Sequence, residues 1–275
     1  MTLEMAVLAS GSSGNAIYLA DGQTALLIDA GLSGKEIERR MNLIERSMAG
    51  VDALLLTHEH GDHIKGAGVL SRRYNLPVYA TEGTWLAGGE KLGPLKPEHK
   101  KLVRENWELG KLQITSFPIP HDAREPVGYI ISDGQVKVGL ATDIGYITAE
   151  ISQCLQGMDC LLLEANHDID LLREGSYPGS LKRRIRGEGG HLSNEETARL
   201  LPDILESSSC CCPVVLLSHL SAENNRPELA YLTVKNSLQA AGYRVGSDVI
   251  LKCAPRNEPG ELYRLSGRIE EAGLP

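Results

Sequence analysis

Three histidines and two carboxylates fall within six residues directly after a short apolar run, and this is the strongest chemical signal in the sequence. Imidazole nitrogen and carboxylate oxygen are ligands that suit Zn, Mn and Fe. His58 and His60 are two residues apart and can point the same way from an extended turn. After the turn that Gly61 is expected to permit, Asp62 and His63 can begin a helix and face a second ion. The alternative, a histidine-rich surface loop, is disfavoured because histidine is rare and this spacing is demanding.

The elements that must position these residues follow from hydrophobic periodicity. Short apolar runs, each followed by a polar or glycine-rich turn, alternate with segments of helical spacing along the chain. This alternation predicts a layered α/β architecture in one domain over residues 1–275, because no proline-rich or low-complexity linker divides the chain. Residues 81–104 are interpreted as a modest loop or lid. The predicted strands are 5–9, 16–19, 25–29, 53–57, 78–80, 112–118, 127–132, 136–142, 160–164, 214–218 and 249–252, and the predicted helices are 35–48, 64–74, 149–156, 193–206 and 226–241.

Composition and charge limit the functions that are open. Hydrophobic residues make up 42% and charged residues 23% of the chain, which is typical of a globular domain. A net charge of −8 argues against a protein coated in nucleic acid, although bound cations and a local basic patch can still draw phosphate into one cleft. Residues 1–8 lack the basic and apolar pattern of a signal peptide, and the sequence contains no apolar run of about 18 residues. We therefore expect a cytoplasmic protein without a signal peptide or a membrane span.

The six cysteines form neither a zinc ribbon nor a disulfide framework. Cys210, Cys211 and Cys212 are adjacent, and no C-x-x-C pair occurs in the sequence. We expect reduced thiols, as in a cytosolic protein. The three adjacent cysteines are expected to be buried or half-buried in the connection before the strand at 214–218.

The H-x-H-x-D-H run resembles that of the metallo-β-lactamase superfamily, and the likeness extends along the chain. It implies an αββα four-layer sandwich with the site at one edge of two sheets. Further ligands are then expected on later strand ends in a fixed order, where His121, Asp143 and His219 stand. The resemblance implies two divalent metal ions, each with an open position for water or substrate. One ion would take His58, His60, His121 and Asp143, and the other would take Asp62, His63, Asp143 and His219.

Further segments, between Leu8 and about Pro227, look like the YycJ/WalJ group of this superfamily. They are the turn at Ser10–Asn15, Leu163–Asp168, Tyr177-Pro178, Leu181–Ile185 and Gly190–Asn194. The group is similar to exonucleases that digest DNA from the 5′ end, so the resemblance implies a 5′-3′ DNA exonuclease. Asp143 stands where many β-lactamases of this fold carry Cys. We expect neither an inserted β-CASP domain nor a C-terminal helical domain, because the chain lacks room for them.

The chemistry of such a site suits phosphodiester cleavage. Two cations can share a hydroxide that attacks phosphorus, and they can neutralise charge on the phosphoryl oxygens. Asp62 would orient that hydroxide and accept its proton. The resemblance implies that His191, held by Glu164, protonates the leaving 3′ oxygen. Two alternatives stay open. His191 could be a helix-start residue without chemistry, and Glu164 could instead be a buried partner of His167.

Two segments are candidates for substrate binding. The densest basic run of the chain contains Lys182, Arg184 and Arg186. It would form either a row of positive charges that binds the phosphates of DNA or a solvated surface. A small-residue turn near the strand ends would receive a terminal phosphate through backbone N–H groups and side chains. Its candidate contacts are Ser12, Ser13 and Asn15.

Two other functions are kept as alternatives. The chain could hydrolyse a small phosphodiester such as a cyclic nucleotide, or it could be a metal-binding regulator without catalysis. The basic run disfavours the first, and the presence of every expected ligand disfavours the second. DNA is the expected partner and RNA a second one. The choice among Zn, Mn and Fe and the oligomeric state are not encoded in these patterns.

Overall fold

The computed structural model describes residues 2–206 and 212–266 of the chain. Cys210 and Cys211 lie outside these residues, and Cys212 is half-buried. The strands are β1 (Leu3–Ala9), β2 (Ala16–Ala20), β3 (Ala25–Ile28), β4 (Ala53–Leu55), β5 (Val78–Ala80), β6 (Lys100–Leu102), β7 (Asn106–Leu109), β8 (Leu112–Pro118), β9 (Val127–Ser132), β10 (Lys137–Ala141), β11 (Cys160–Glu164), β12 (Val214–Ser218), β13 (Ile250–Cys253) and β14 (Tyr263–Leu265). The helices are α1 (Gly34–Leu43), α2 (Gly61–Ile64), α3 (Ala67–Tyr74), α4 (Glu82–Leu92), α5 (Ala149–Cys154), α6 (Ile169–Glu174), α7 (Gly179–Ile185), α8 (Asn194–Glu206) and α9 (Pro227–Ala240), with 3-10 turns at Met48–Gly50 and Pro97–His99. In this part of the chain no helix has the length and apolar character needed to cross a bilayer.

Within the described residues the strands form two seven-stranded sheets. The first has the order β14-β1-β2-β3-β4-β5-β6, and the second has the order β13-β12-β11-β10-β9-β8-β7. Neighbouring strands from β3 to β6 and from β10 to β13 are parallel, and the remaining pairs are antiparallel. The carboxyl ends of parallel neighbours are level, because Ile28 pairs with Leu55 and Glu164 pairs with Ser218. Polar residues that follow these strands therefore meet at one edge.

The two sheets pack face to face over a core of mainly aliphatic side chains. Leu26 of the first sheet and Leu162 of the second are buried in one shared cluster. On the outer faces, α1 packs on the first sheet through Met41, and α8 packs on the second sheet through Leu201. These layers confirm the αββα sandwich that the resemblance implies.

The helices that cover the sheets begin at capping residues that can be recognised in the sequence. The Ser33 hydroxyl accepts from the Glu36 N–H at 3.2 Å and caps α1. Ser193 and Glu196 form a capping box at α8, in which each side chain accepts from the other residue's N–H, at 3.1 and 2.8 Å. The box fixes the chain path just after His191.

The segment at 81–104, for which the sequence allows a modest loop or lid, contains more secondary structure than a loop. It contains α4, the 3-10 turn at Pro97–His99 and the strand β6. Gly83, Gly88 and Gly89 weaken the helical signal of α4, and β6 is a three-residue strand whose side chains are all exposed. The sequence patterns also do not predict α6, α7, β7 and β14, because each of these elements is short.

Arg40 joins α1 to two distant segments of the first layer. Its guanidinium donates to the backbone oxygens of Leu8 at 2.8 Å and Arg256 at 3.0 Å. It also donates to the backbone oxygen of Asn257 and to the carboxylate of Glu36, both at 2.7 Å. Arg40 is buried, and its bond to Leu8 satisfies a backbone oxygen that water cannot easily reach.

Replacing Arg40 with alanine should lower the free energy of unfolding by about 1–3 kcal/mol, because the buried backbone oxygen of Leu8 loses its donor. Urea denaturation followed by circular dichroism measures the change. Arg39→Ala is the matched control. Arg39 pairs with Glu36 and Glu258 at the surface, so its loss should leave the midpoint nearly unchanged. Equal losses in the two variants would contradict the role given to Arg40.

Candidate metal centre

The polar residues of the H-x-H-x-D-H run and of later strand ends lie together at one edge of the sheets. His58 follows β4, and His121 follows β8. Asp143 and His219 follow β10 and β12, and Glu164 ends β11. Their donor atoms form groups in which all atoms lie within 4.8 Å of one another. The predicted ligands that the structure brings together are His58, His60, Asp62, His63, His121, Asp143 and His219.

Three residues at these strand ends adopt a left-handed backbone conformation. The φ angle is 58° at Asp29, 60° at Asp143 and 52° at His219. This conformation is uncommon for residues with a side chain, although Asp and His adopt it more readily than most. Each residue lies within two positions of a strand end, so the chain turns sharply there. Such strain concentrates at functional sites, where surrounding contacts hold it.

The first group of candidate ligands consists of His58, His60 and His121. The Nδ1 atom of His121 lies 3.1 Å from the backbone oxygen of Gly190, so this nitrogen carries the proton and Nε2 keeps its lone pair. That Nε2 lies 3.3 Å from the Nδ1 atom of His60. Ring nitrogens from three histidines therefore converge, which is an arrangement that suits Zn or a similar cation.

Asp143 lies between the first group and the second, which consists of Asp62, His63 and His219. Its Oδ2 atom is 3.2 Å from His63 Nε2, and its Oδ1 atom is 3.7 Å from His121 Nε2 and 3.5 Å from His219 Nε2. Asp62 Oδ2 is 3.7 Å from His219 Nε2 and 3.8 Å from His63 Nε2. One carboxylate thus faces both groups, as expected of a residue that bridges two ions.

Several buried atoms of this cluster lack a hydrogen-bonding partner. Within residues 2–206 and 212–266, these atoms include His58 Nε2, His219 Nε2 and Asp143 Oδ2. The 3.2 Å contact of Asp143 Oδ2 with His63 does not have hydrogen-bond geometry. A buried polar atom without a partner costs about 1–3 kcal/mol. A divalent cation would satisfy these atoms, so the donor set fits the metal ions that the resemblance implies.

The charges of the centre also fit a cation. Burial alone would lower the pKa of His219, but the charge of Asp143 and the hydrogen bond with Glu164 raise it to about 10. The Asp143 charge likewise outweighs burial at His63 and holds the pKa of that imidazole well above its usual range. The carboxylates thus favour protons on two candidate ligands. A divalent cation would take the place of those protons.

Asp29 holds the candidate ligand His63 in place, and the H-x-H-x-D-H run does not reveal it. Its Oδ2 atom accepts from His63 Nδ1 at 2.7 Å and from the Thr57 hydroxyl at 2.9 Å. Its Oδ1 atom accepts from the Thr57 N–H, also at 2.9 Å. A carboxylate at Nδ1 fixes the tautomer and leaves Nε2 for a metal. The signal in the sequence is an Asp at the end of an apolar strand, as at Asp143.

Glu164 is fully buried and joins His191 to His219. Its Oε1 atom lies 2.8 Å from the Nδ1 atom of each histidine. Burial alone would raise the pKa of Glu164, but the charges and hydrogen bonds of these histidines lower it to about 2. The contact with His191 is the one that the sequence predicts. In the described residues the alternative partner, His167, makes no hydrogen bond through its Nδ1 atom.

The small-residue turn after β1 supports two candidate ligands. The Ser10 hydroxyl accepts from the N–H of His219 at 2.7 Å. Asn15 is buried, with its amide nitrogen 3.0 Å from His63 Nε2 and its amide oxygen bonded to the Gly11 N–H at 2.8 Å. This placement favours a positioning role for Asn15 over the predicted contact with phosphate. The exposed residues of the turn, which line a cavity beside the centre, are Ser12 and Ser13.

The basic side chains at α7 lie in different environments. Lys182 donates to the backbone oxygens of Arg173 at 2.8 Å and Gly175 at 2.6 Å, and these bonds stabilise the turn before α7. Arg184 pairs with Asp122, with 3.1 Å between Nη2 and Oδ1, and Asp122 Oδ1 is 3.5 Å from His121 Nε2. Arg186 is exposed. Arg184 is therefore held beside the metal centre, whereas the charge of Lys182 is used within the fold.

Comparisons with known proteins agree on one family. Residues 24–211 match the family model described as "Beta-lactamase superfamily domain". The chain is 40% identical over 248 residues to Exodeoxyribonuclease YycJ of Bacillus anthracis, covering 90% of this chain and 93% of that protein. It is 42% identical over 246 residues to Exodeoxyribonuclease WalJ of Streptococcus pneumoniae (strain D39), covering 88% and 90%. The crystal structure of the metallo-β-lactamase fold protein YhfI from Bacillus subtilis shares the fold, with a TM-score of 0.70 and 16% identity over 94% of this chain and 99% of that chain.

Gly31, and not Gly61, is the glycine that the H-x-H-x-D-H segment requires. A Cβ atom on Gly31 would lie 1.6 Å from the backbone oxygen of Asp62, which is far inside contact distance. Gly61 is the first residue of α2, and a Cβ atom there would meet nothing within 4 Å. The expectation that Gly61 permits the tight turn is therefore wrong, because a helical position accepts any side chain of this size.

Gly31→Ala should displace the backbone at Asp62 and weaken the second ligand group. We expect the affinity for metal to fall by about 10–100-fold, as for other changes that misalign ligands. Competition with a chromophoric chelator measures the affinity. Gly61→Ala is the matched control and should keep the wild-type affinity. Wild-type affinity in Gly31→Ala would contradict the close packing described here.

Proposed function

Since this chain belongs to the metallo-β-lactamase superfamily and, within it, to the family of the YycJ and WalJ exodeoxyribonucleases, we propose that it is a metal-dependent exodeoxyribonuclease. The observation that carries the proposal is the convergence of histidine and carboxylate donors beside the hydrogen-bonded pair Glu164 and His191. The names of both relatives specify DNA, and their matches cover 90% and 88% of this chain. Action from the 5′ end is part of the proposal.

We assign two divalent ions to the centre. Such ions, when bound, act as Lewis acids that stabilise charge on phosphoryl oxygens and lower the pKa of water. Histidine and carboxylate donors accept Zn, Mn and Fe alike, so the donor set does not select one of them. The first ion is assigned to His58, His60, His121 and Asp143, and the second to Asp62, His63, Asp143 and His219.

Hydrolysis moves two protons, and the chain offers a group for each. The oxygen of water bonds to phosphorus, the bond from phosphorus to O3′ breaks, and O3′ must gain a proton. Asp62 is partly exposed at the centre and is assigned to accept the proton of water. His191 is assigned to protonate O3′ through Nε2, because Glu164 binds its Nδ1 atom. The products are a nucleotide with a free 3′ hydroxyl and a shortened strand that begins with a 5′ phosphate.

Digestion of end-labelled linear duplex DNA tests the proposed function. With Mn²⁺ or Zn²⁺ supplied, the wild type should release mononucleotides from a 5′ label before it reaches a 3′ label. His60→Ala, which removes a candidate ligand, should release none. Release from the 3′ end first would contradict the polarity. Hydrolysis of a small phosphodiester without any DNA cleavage would indicate a small-molecule phosphodiesterase instead. Metal binding without any hydrolysis would favour a regulatory protein.

His191→Ala and Asp143→Ala should separate proton donation from metal binding. His191→Ala should lose about 10²–10⁴-fold in kcat, because a general acid is removed, yet keep its metal content. Asp143→Ala should lose both activity and metal, because this carboxylate faces both ligand groups. Elemental analysis beside steady-state kinetics measures the two effects. Metal loss in His191→Ala would make His191 a ligand and contradict its assigned role.

A further inference from the structure

Lys65 and Lys91 bring positive charge to the cavity beside Asp62, and the site described above gives them no role. Lys65 follows α2 directly, and Lys91 lies in the last turn of α4. Together with Ser12 and Ser13 they line a cavity of about 420 Å³. Asp62 lies in the same wall, so the cavity adjoins the second group of candidate ligands.

The polar groups of this cavity are available to a ligand. Across residues 2–206 and 212–266, no carboxylate forms an ion pair with Lys65 or Lys91. Lys91 donates to the backbone oxygen of Glu59 at 3.3 Å, and an ammonium group has two further hydrogens to donate. Ser12 and Ser13 are exposed. In a chain with a net charge of −8, two unpaired lysines beside two hydroxyls favour an anion.

We propose that this cavity binds the terminal 5′ phosphate of a DNA strand, an inference that rests on the exonuclease function proposed above. A terminal phosphate carries about −1.5 to −2 charges near neutral pH and three strong acceptor oxygens, which ammonium and hydroxyl groups can satisfy. An internal phosphodiester carries a single charge, so the lysines distinguish a strand end from its interior. The wall shared with Asp62 puts the bound end next to the centre that cuts the following phosphodiester.

Binding at this cavity makes each product the next substrate. Water adds to phosphorus and the bond to O3′ breaks, which releases the first nucleotide with its 3′ hydroxyl. The phosphate stays on the shortened strand, and its new end again carries the group that the cavity binds. A strand that begins with a 5′ hydroxyl offers no charge to Lys65 and Lys91 and should be a poor substrate.

The test compares otherwise identical DNA that begins with a 5′ phosphate or a 5′ hydroxyl. The measured quantity is the ratio of kcat/KM for the two ends. The wild type should favour the phosphate by roughly tenfold or more, because the terminal phosphate accepts charge-assisted hydrogen bonds that a 5′ hydroxyl cannot accept. The double variant Lys65→Ala/Lys91→Ala should lose most of this preference. The charge-matched control is Lys111→Ala/Lys137→Ala, two exposed lysines at the amino ends of β8 and β10, and it should keep the wild-type ratio.

Failure of this inference is distinct from failure of the proposed function. Equal kcat/KM for the two ends in the wild type, or an unchanged ratio in Lys65→Ala/Lys91→Ala, would overturn the inference while DNA cleavage remains. If the wild type cuts no DNA, the proposed function fails, and fluorescence anisotropy with the same two oligonucleotides still tests the cavity. Tighter binding of the 5′ phosphate that only the double variant loses would support the inference, and equal affinities in the wild type would overturn it.

Discussion

Carboxylates packed against buried histidines set the electrostatics of this protein. Asp143 faces both groups of candidate ligands, and Glu164 bonds the candidate ligand His219 and the proposed proton donor His191. Negative charge at this density needs a counter-charge, because buried charges without one are unfavourable. The raised pKa of His219 reflects that need. A centre built in this way gains a favourable interaction when divalent cations bind.

The αββα sandwich brings these groups together because its parallel strands end at the same height along one edge. Short turns then suffice to bring together residues that are far apart in the sequence. The chain turns through a left-handed conformation at Asp29, Asp143 and His219. Gly31 has no side chain, which allows the backbone after β3 to contact the backbone of Asp62 closely. The apolar layers beneath hold these strained turns, so the precision of the centre depends on the packing of the core.

Local patterns in the sequence predict a layered α/β architecture and the donors of the H-x-H-x-D-H run, whereas the αββα sandwich and the later donors His121, Asp143 and His219 follow from the family resemblance. Apolar runs mark the strands, and the ligands follow them directly. The supporting contacts depend on residues distant in the chain: Asp29 and His63 are 34 residues apart, and Glu164 and His219 are 55 apart. Local patterns also do not show that Lys182 is bonded within the fold, or that α4 brings a lysine to the centre. Only the packed structure provides these facts.

Diffraction from crystals of the metal-loaded protein, recorded at the absorption edge of the metal, tests the central claim most directly. The account predicts two peaks in the anomalous difference map. One should lie among His58, His60 and His121, the other among Asp62, His63 and His219, with the Asp143 carboxylate between them. A single peak, or peaks away from these side chains, would contradict the account.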